Sequence, residues 1–234
     1  MVKRNRIAII PARGGSKRIE RKNVVDFLGR PMIAWTIEAA LETGAFDRII
    51  VSTDDVEIAE ASRRLGAEVP FLRDANADDI TPVSAATIGT LAQVEAGLDE
   101  TYDVVVQLMA NCPLRRAEHV TAALERFQVR RPESQISCFR FGWMNPWWAV
   151  TVDADGHPAP LHPQALTQRS QDLPTLFCPT GAIWISTSES LRRYGTFHTP
   201  AREYAEIPWR AALDIDDHED LSMARAIAQA GKGS

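Results

Sequence analysis

The sequence predicts an α/β protein built on a largely parallel sheet, and three observations lead there. Short apolar runs rich in Ile and Val, such as residues 7–10, 49–51 and 104–106, alternate with longer segments of helical period. The helical segments open at capping residues and several close near glycine. A basic, glycine-bearing loop directly follows the first apolar run. In parallel sheets ligands gather at the carboxyl ends of the strands, which is where that loop lies. Strand–helix–strand alternation folds through right-handed crossovers.

Taken in order, residues 7–10 form a buried strand that empties into residues 11–23. Residues 27–31 turn, and Pro31 is placed to open a helix. Met32, Ile33, Trp35, Ile37, Ala40 and Leu41 give that helix an apolar face, and Gly44 stops it. Residues 48–53 form the next strand. Asp54 and Asp55 cap a helix that ends at Leu65 and Gly66. A short strand is expected at 68–71, then an active-site loop at 72–83 containing Arg73, Thr81 and Pro82. A helix over 84–96 precedes a strong strand at 102–106, which delivers Gln107 and the turn 111–115. A helix over 117–130 and a strand over 134–141 follow.

The character then changes. Residues 142–148 hold three of the six tryptophans, and the chain to Pro179 is rich in proline and turn residues. Residues 153–156 read as a hairpin turn. Such a segment cannot bury three tryptophans in a core of its own, so a protruding arm that packs on a partner subunit is expected. The sheet resumes at 181–186, followed by a helix at 189–194 and an irregular stretch to Pro208. The final helix, 218–230, is capped by Asp217 with Asp220 reaching back. The expected organisation is one α/β domain, residues 1–141 and 179–234, with the arm 142–178 inserted in it.

Bulk properties narrow the function. The chain has 234 residues, 45% hydrophobic and 24% charged, with a formal net charge of −5. That size supports one sizeable core, and that charge argues against nucleic acid as a partner. Cys112, Cys138 and Cys178 are odd in number, far apart and without a C-x-x-C, so a reducing cytoplasm is expected. No run approaches transmembrane length and no signal-peptide core opens the chain, so no membrane partner is expected.

Two constellations carry chemistry. Arg13, Lys17, Arg18, Arg21 and Lys22 crowd the loop after the first strand, with Gly14 and Gly15 beside them and only Glu20 opposing. Amide N–H groups and cations converging after a strand suit phosphates. The loop matches neither the Walker A pattern nor the dinucleotide G-x-G-x-x-G. The second constellation is Asp214-Ile215-Asp216. In an extended segment Leu213 and Ile215 face the core while both aspartates share the other face. Two carboxylates so close repel, and Mg2+ relieves that by taking oxygen ligands from carboxylates and phosphates.

The stretches IPARGGSKRIERKN, DRIIVSTDD, QLMANCPLR, QRSQDLP, PTGAIWI and LDIDD together resemble the acylneuraminate, or nonulosonic acid, cytidylyltransferases. Every specified position of P-A-R-x-G-S-K-x-I-x-x-K-N is filled. The resemblance implies a three-layer α/β/α sandwich on a mainly parallel, Rossmann-like sheet with a small dimerisation arm, and hence a homodimer. It implies transfer of CMP from CTP to the anomeric hydroxyl of a nonulosonic acid, with Mg2+ and release of pyrophosphate. Arg13, Gly15, Ser16, Lys17 and Lys22 then fall in the phosphate-binding set, and Asn23, Arg73 and Ser84 at positions holding ribose and cytosine. Gln107 matches a contact to the sugar acid, and Arg169 a ligand for its carboxylate. Lys22, Arg13 and Asp214 take the catalytic positions, and Asp214 and Asp216 the metal.

Two positions depart from the sialic acid pattern, Trp148 where a lysine is common and Thr180 where asparagine is common. Both fall on the sugar side, so the particular acid stays open. An eight-carbon Kdo cytidylyltransferase and a non-catalytic nucleotide-binding module remain as alternatives. The five histidines form no cluster at metal-ligand or triad spacing.

Overall fold

The computed structural model describes residues 2–73 and 82–231. The first strand, β1 (Val2–Pro11), is followed by a two-residue ribbon of β2 (Asp26–Phe27) and β3 (Arg30–Pro31), then α1 (Met32–Glu42). Next come β4 (Arg48–Ser52), α2 (Val56–Arg64), α3 (Val83–Leu98) and β5 (Glu100–Gln107). The chain continues with α4 (Ala117–Arg130) and β6 (Ser134–Arg140), and leaves the sheet for the short hairpin of β7 (Val150–Val152) and β8 (Pro158–Pro160). It returns as β9 (Phe177–Thr187) and closes with α5 (Ser188–Tyr194), β10 (Arg202–Glu206) and α6 (His218–Ala230).

Six strands form the central sheet in the order β10-β6-β9-β5-β1-β4. β1 runs parallel to β4 and β5, and β6 to β10. Only β9 is antiparallel, to both β5 and β6. It returns from the arm without a crossover helix, as an antiparallel neighbour can. Alternate side chains of β1 feed two cores. Ala8 and Ile10 pack with α1, α2 and α4 through Ile33, Ile37, Ile58, Val120 and Leu124. Ile7 and Ile9 pack with α3 and α5 through Leu91, Val94 and Leu191. The result is the three-layer α/β/α sandwich. A third cluster joins Leu213, Ile215 and α6 to Met32 and Ile19.

Local signals explain most boundaries. Asp55 accepts a hydrogen bond from Ile58 N at 3.0 Å and so caps α2. Asp217 and Asp220 exchange bonds with each other's backbone N–H groups at the start of α6. Gly156, at φ 86°, closes the β7–β8 turn.

Two expectations are corrected. Residues 68–71 make a single bridge, Ile50 to Glu68, rather than a strand. The stretch before Pro208 contains β10, whose Arg202, Tyr204 and Glu206 do not read as a buried strand because β10 lies at the edge of the sheet. Residues 211–217 are no sheet strand, yet the predicted facing holds, with Leu213 and Ile215 buried and Asp214 and Asp216 turned outward. Residues 74–81 of the expected active-site loop, Thr81 included, lie outside the described residues.

Candidate active site

The carboxyl ends of β1, β4 and β5 set the site. Ile9 pairs with Gln107 and Pro11 with Ser52, so the loop after β1 emerges between the ends of both neighbours. Gly14 N donates to Asp54 Oδ1 at 2.9 Å. A Cβ on Gly14 would lie 2.8 Å from Asp55 Oδ2, so only glycine lets the loop settle on the start of α2. Arg21, at φ 52°, pairs with Asp55 at 2.9 Å and Glu57 at 2.6 Å. One of the five bases is thus tied back to α2. Buried Asn23 donates its amide to Arg13 O at 2.9 Å, closing the loop on itself.

The remaining bases converge. Arg13, Ser16, Lys17, Arg18, Lys22 and Asn23 line a cavity of about 350 Å³ together with Asp216. Lys22 Nζ donates to Asp216 Oδ1 and to Ile215 O, each at 2.9 Å. Arg18 Nη2 lies 2.7 Å from Asp216 Oδ2. Desolvation pushes the Asp216 carboxyl up, but its hydrogen bonds to Lys22 and Arg18 outweigh that and leave it lowered.

Asp214 is different. It keeps a water-accessible face but lies among protein atoms that strip its hydration, and Asp216 repels its charge. Its carboxyl is pushed up to about 6, with Lys22 and Arg18 opposing the rise. No hydrogen bond or ion pair joins its carboxylate among the described residues.

Asn111 fixes the spacing of the two aspartates. Its backbone oxygen accepts from Ile215 N at 2.9 Å, and its side-chain Nδ2 donates to Ile215 O at 3.2 Å. The residue between the carboxylates is held at both backbone groups. That contact orients the amide, and Asn111 Oδ1 is left buried without a partner among the described residues. The turn carrying Asn111 is itself anchored by fully buried Arg115, which donates to Ala182 O at 2.6 Å, Met109 O at 3.2 Å and Thr36 Oγ1 at 2.7 Å. Burial without a carboxylate partner pulls this guanidinium down to about 10.

Of the other predicted residues, Arg73 interacts with the loop, whereas Ser84, Gln107 and Arg169 line no part of this cavity. Arg73 is buried, donates to Ser52 Oγ at 3.3 Å, and feels both Asp54 and Arg13; burial lowers its guanidinium. Ser84 is buried in the first turn of α3. Gln107 is fully buried, its Oε1 accepting from Thr87 at 2.6 Å and its amide resting 3.9 Å from Met109 Sδ. Arg169 is exposed on the arm and pairs with Asp172 at 2.8 Å.

Asn111 and Asp54 are the residues sequence reasoning left without a role at the site, and Arg18 gains a partner, Asp216, that it did not foresee. Each lies inside a quoted motif, but only the fold shows which backbone or carboxylate it meets. Size does not mark the site. A larger cavity of about 490 Å³, between α1, α4 and α6, is lined by Phe27, Trp35, Leu114 and Arg210 and holds none of the loop's bases.

The sequence pattern of the family described as cytidylyltransferase matches residues 7–145. Pseudaminic acid cytidylyltransferase of Campylobacter jejuni is 34% identical over 221 residues, covering 94% of this chain and 95% of that protein. CMP-N,N'-diacetyllegionaminic acid synthase of Legionella pneumophila is 30% identical over 232 residues, covering 95% and 96%. Among solved structures, a CMP:2-keto-3-deoxy-manno-octonic acid synthetase complexed with CTP superposes with a TM-score of 0.72 at 19% identity, covering 97% of this chain and 100% of that one. At that identity the likeness speaks for the fold.

Proposed function

Because this chain belongs to the cytidylyltransferase family, we propose that its substrates are CTP and a free nonulosonic acid, joined into a CMP-sugar with release of pyrophosphate. The chain is a nucleotidyltransferase of the group that makes CMP-nonulosonic acids. The observation that supports the site assignment is the meeting of the basic loop with Asp216, neighbour of Asp214, in one cavity.

In this reading the triphosphate lies over the loop, with Arg13, Ser16, Lys17 and Lys22 on its oxygens and the Gly15 backbone close to it. Arg73 and Ser84 face the nucleoside, and Asn23 keeps the loop in shape. The anomeric 2-hydroxyl of the acid attacks the α-phosphorus. A new O–P bond forms, the bond to the β-phosphate oxygen breaks, and the hydroxyl gives up its proton. Alignment and neutralisation of developing charge by Lys22 and Arg13 supply most of the acceleration.

The residues fit a hard divalent cation. Asp214 offers a carboxylate with no partner among the described residues, Asp216 a second that Lys22 and Arg18 already engage, and the donors are all oxygen. Asn111, whose amide nitrogen holds Ile215 O between them, carries a buried oxygen without a partner among the described residues. Asp214 and Asp216 would hold Mg2+, which would neutralise charge on the phosphates and the departing pyrophosphate.

The arm carries the reading of a homodimer. Trp143 is 87% exposed, and Met144, Val152, Leu161 and Leu166 are exposed with it. An apolar set of that size on a small hairpin fits a partner subunit. Arg169, on the same arm, would reach the sugar carboxylate in the neighbour's site, where its planar fork suits that group. No helix among the described residues is long and apolar enough to cross a membrane. Three free cysteines fit a reducing cytoplasm.

The test is a substrate panel. Purified protein with CTP and Mg2+ is given pseudaminic, legionaminic, N-acetylneuraminic and Kdo acids while pyrophosphate is followed. Release with one or more of the nine-carbon acids supports the reading, and release with Kdo alone, or with none, rejects it.

A further inference from the structure

Both oxygens of Asp216 are already in use. Oδ1 accepts from Lys22 and Oδ2 pairs with Arg18, while Asp214 beside it has no such partner among the described residues. A small divalent cation binds through bare carboxylate oxygens and keeps several of its waters. To engage Asp216 it has to displace a cationic group from each oxygen it takes. The same two side chains line the cavity with Arg13, Ser16 and Lys17. A polyphosphate entering there would compete with Asp216 for these cationic groups.

We propose that Arg18 is a latch on the metal site: it closes Asp216 in the free protein and moves to the triphosphate on binding, so that the divalent site is complete only when nucleotide is present. The inference rests on the cytidylyltransferase reading and deepens it. Arg18 is well suited to the task, because its side chain is 63% exposed and free to swing, whereas that of Lys22 is 15% exposed and also tied to Ile215 O. Linkage makes the effect reciprocal, so whatever nucleotide does for the cation the cation does for nucleotide. The arrangement also keeps a stray divalent cation from occupying the site ahead of substrate.

The experiment uses Mn2+ as a spectroscopic probe and a CTP analogue with a methylene between the α- and β-phosphates. Mn2+ binding is followed by electron paramagnetic resonance, and analogue binding by calorimetry in EDTA. Wild type, Arg18→Gln and Arg18→Lys are compared, with thermal melts confirming folding. Arg18→Gln is expected to bind Mn2+ alone about two- to five-fold more tightly than wild type, the range for losing one half-exposed ion pair. It is expected to bind the analogue in EDTA more weakly by a similar factor. Arg18→Lys, which keeps the charge, should stay near wild type in Mn2+ binding. Unchanged or weaker Mn2+ binding in Arg18→Gln, with the analogue still binding wild type, overturns the latch and leaves the functional reading standing. No binding of the analogue to wild type overturns both.

Discussion

Lys22 and Asp216, 194 residues apart in the sequence, meet through a 2.9 Å hydrogen bond at the mouth of the cleft. The basic loop after β1 and the segment before α6 thereby line one cavity. Lys22 holds the carboxylate and the Ile215 carbonyl at once, so it organises the site as well as charging it. Lys22→Ala is expected to lower kcat by about 100-fold or more, as removal of a preorganised charge does, while the Kd for CTP rises less than about ten-fold. Steady-state pyrophosphate release and calorimetry read the two. Equal losses would assign Lys22 to ground-state binding alone.

Asn111 should matter beyond its own stability. Asn111→Ala removes the bond to Ile215 O and is expected to lower stability by about 1 kcal/mol. The Mg2+ concentration for half-maximal rate should rise several-fold, because Asp214 and Asp216 lose a fixed spacing. A variant that melts earlier but keeps the wild-type Mg2+ dependence would reduce Asn111 to a fold-stabilising role.

The charged form of Asp214 is disfavoured where it sits. Loss of hydration and the neighbouring Asp216 raise the Asp214 carboxyl from 3.8 to about 6. A raised carboxyl stabilises the fold below its ordinary value, and that contribution is lost as pH climbs through 6. In EDTA at pH 7.5, Asp214→Asn is therefore expected to raise stability by about 1 kcal/mol, a figure discounted for the water Asp214 still touches. The gain should vanish by pH 3.5, and most of the activity should be lost at every pH. Thermal melts at both pH values check this, and a lower melting temperature at pH 7.5 would contradict it.

The arm prediction is an assembly measurement. Trp143→Ser together with Leu161→Ser should shift sedimentation from dimer toward monomer at micromolar protein, since both side chains are exposed on the single subunit. Arg169→Ala should raise KM for the sugar acid without changing CTP affinity. A wild type that sediments as a monomer would remove the arm's proposed role.

The sequence shows the parallel sheet, the helix caps and both charged constellations, because these depend on local period and local composition. Asp55, Asp217 and Pro31 act on neighbours within a few residues, so their effect is written beside them. It does not show the edge strand β10, whose exposed Arg202 and Tyr204 have no buried periodicity. Nor does it show that Asn23 serves the Arg13 carbonyl or that Arg21 is tied to Asp55, since those partners are set by the fold. Gln107 is where the pattern expects it, at the end of β5, yet its oxygen bonds to Thr87 across the layer to α3. Long-range pairing of polar groups is the part that local sequence rules do not encode.

The central claim is that the loop and the aspartate pair grip the same triphosphate. A double-mutant cycle on pyrophosphate release with Lys22→Ala and Asp214→Asn tests it most directly. The account predicts strong coupling: either change alone removes most of the rate, and the double variant is far less impaired than the product of the two losses. Independent losses that multiply in the double variant would mean that the two residues act on different ligands, and the account would be wrong.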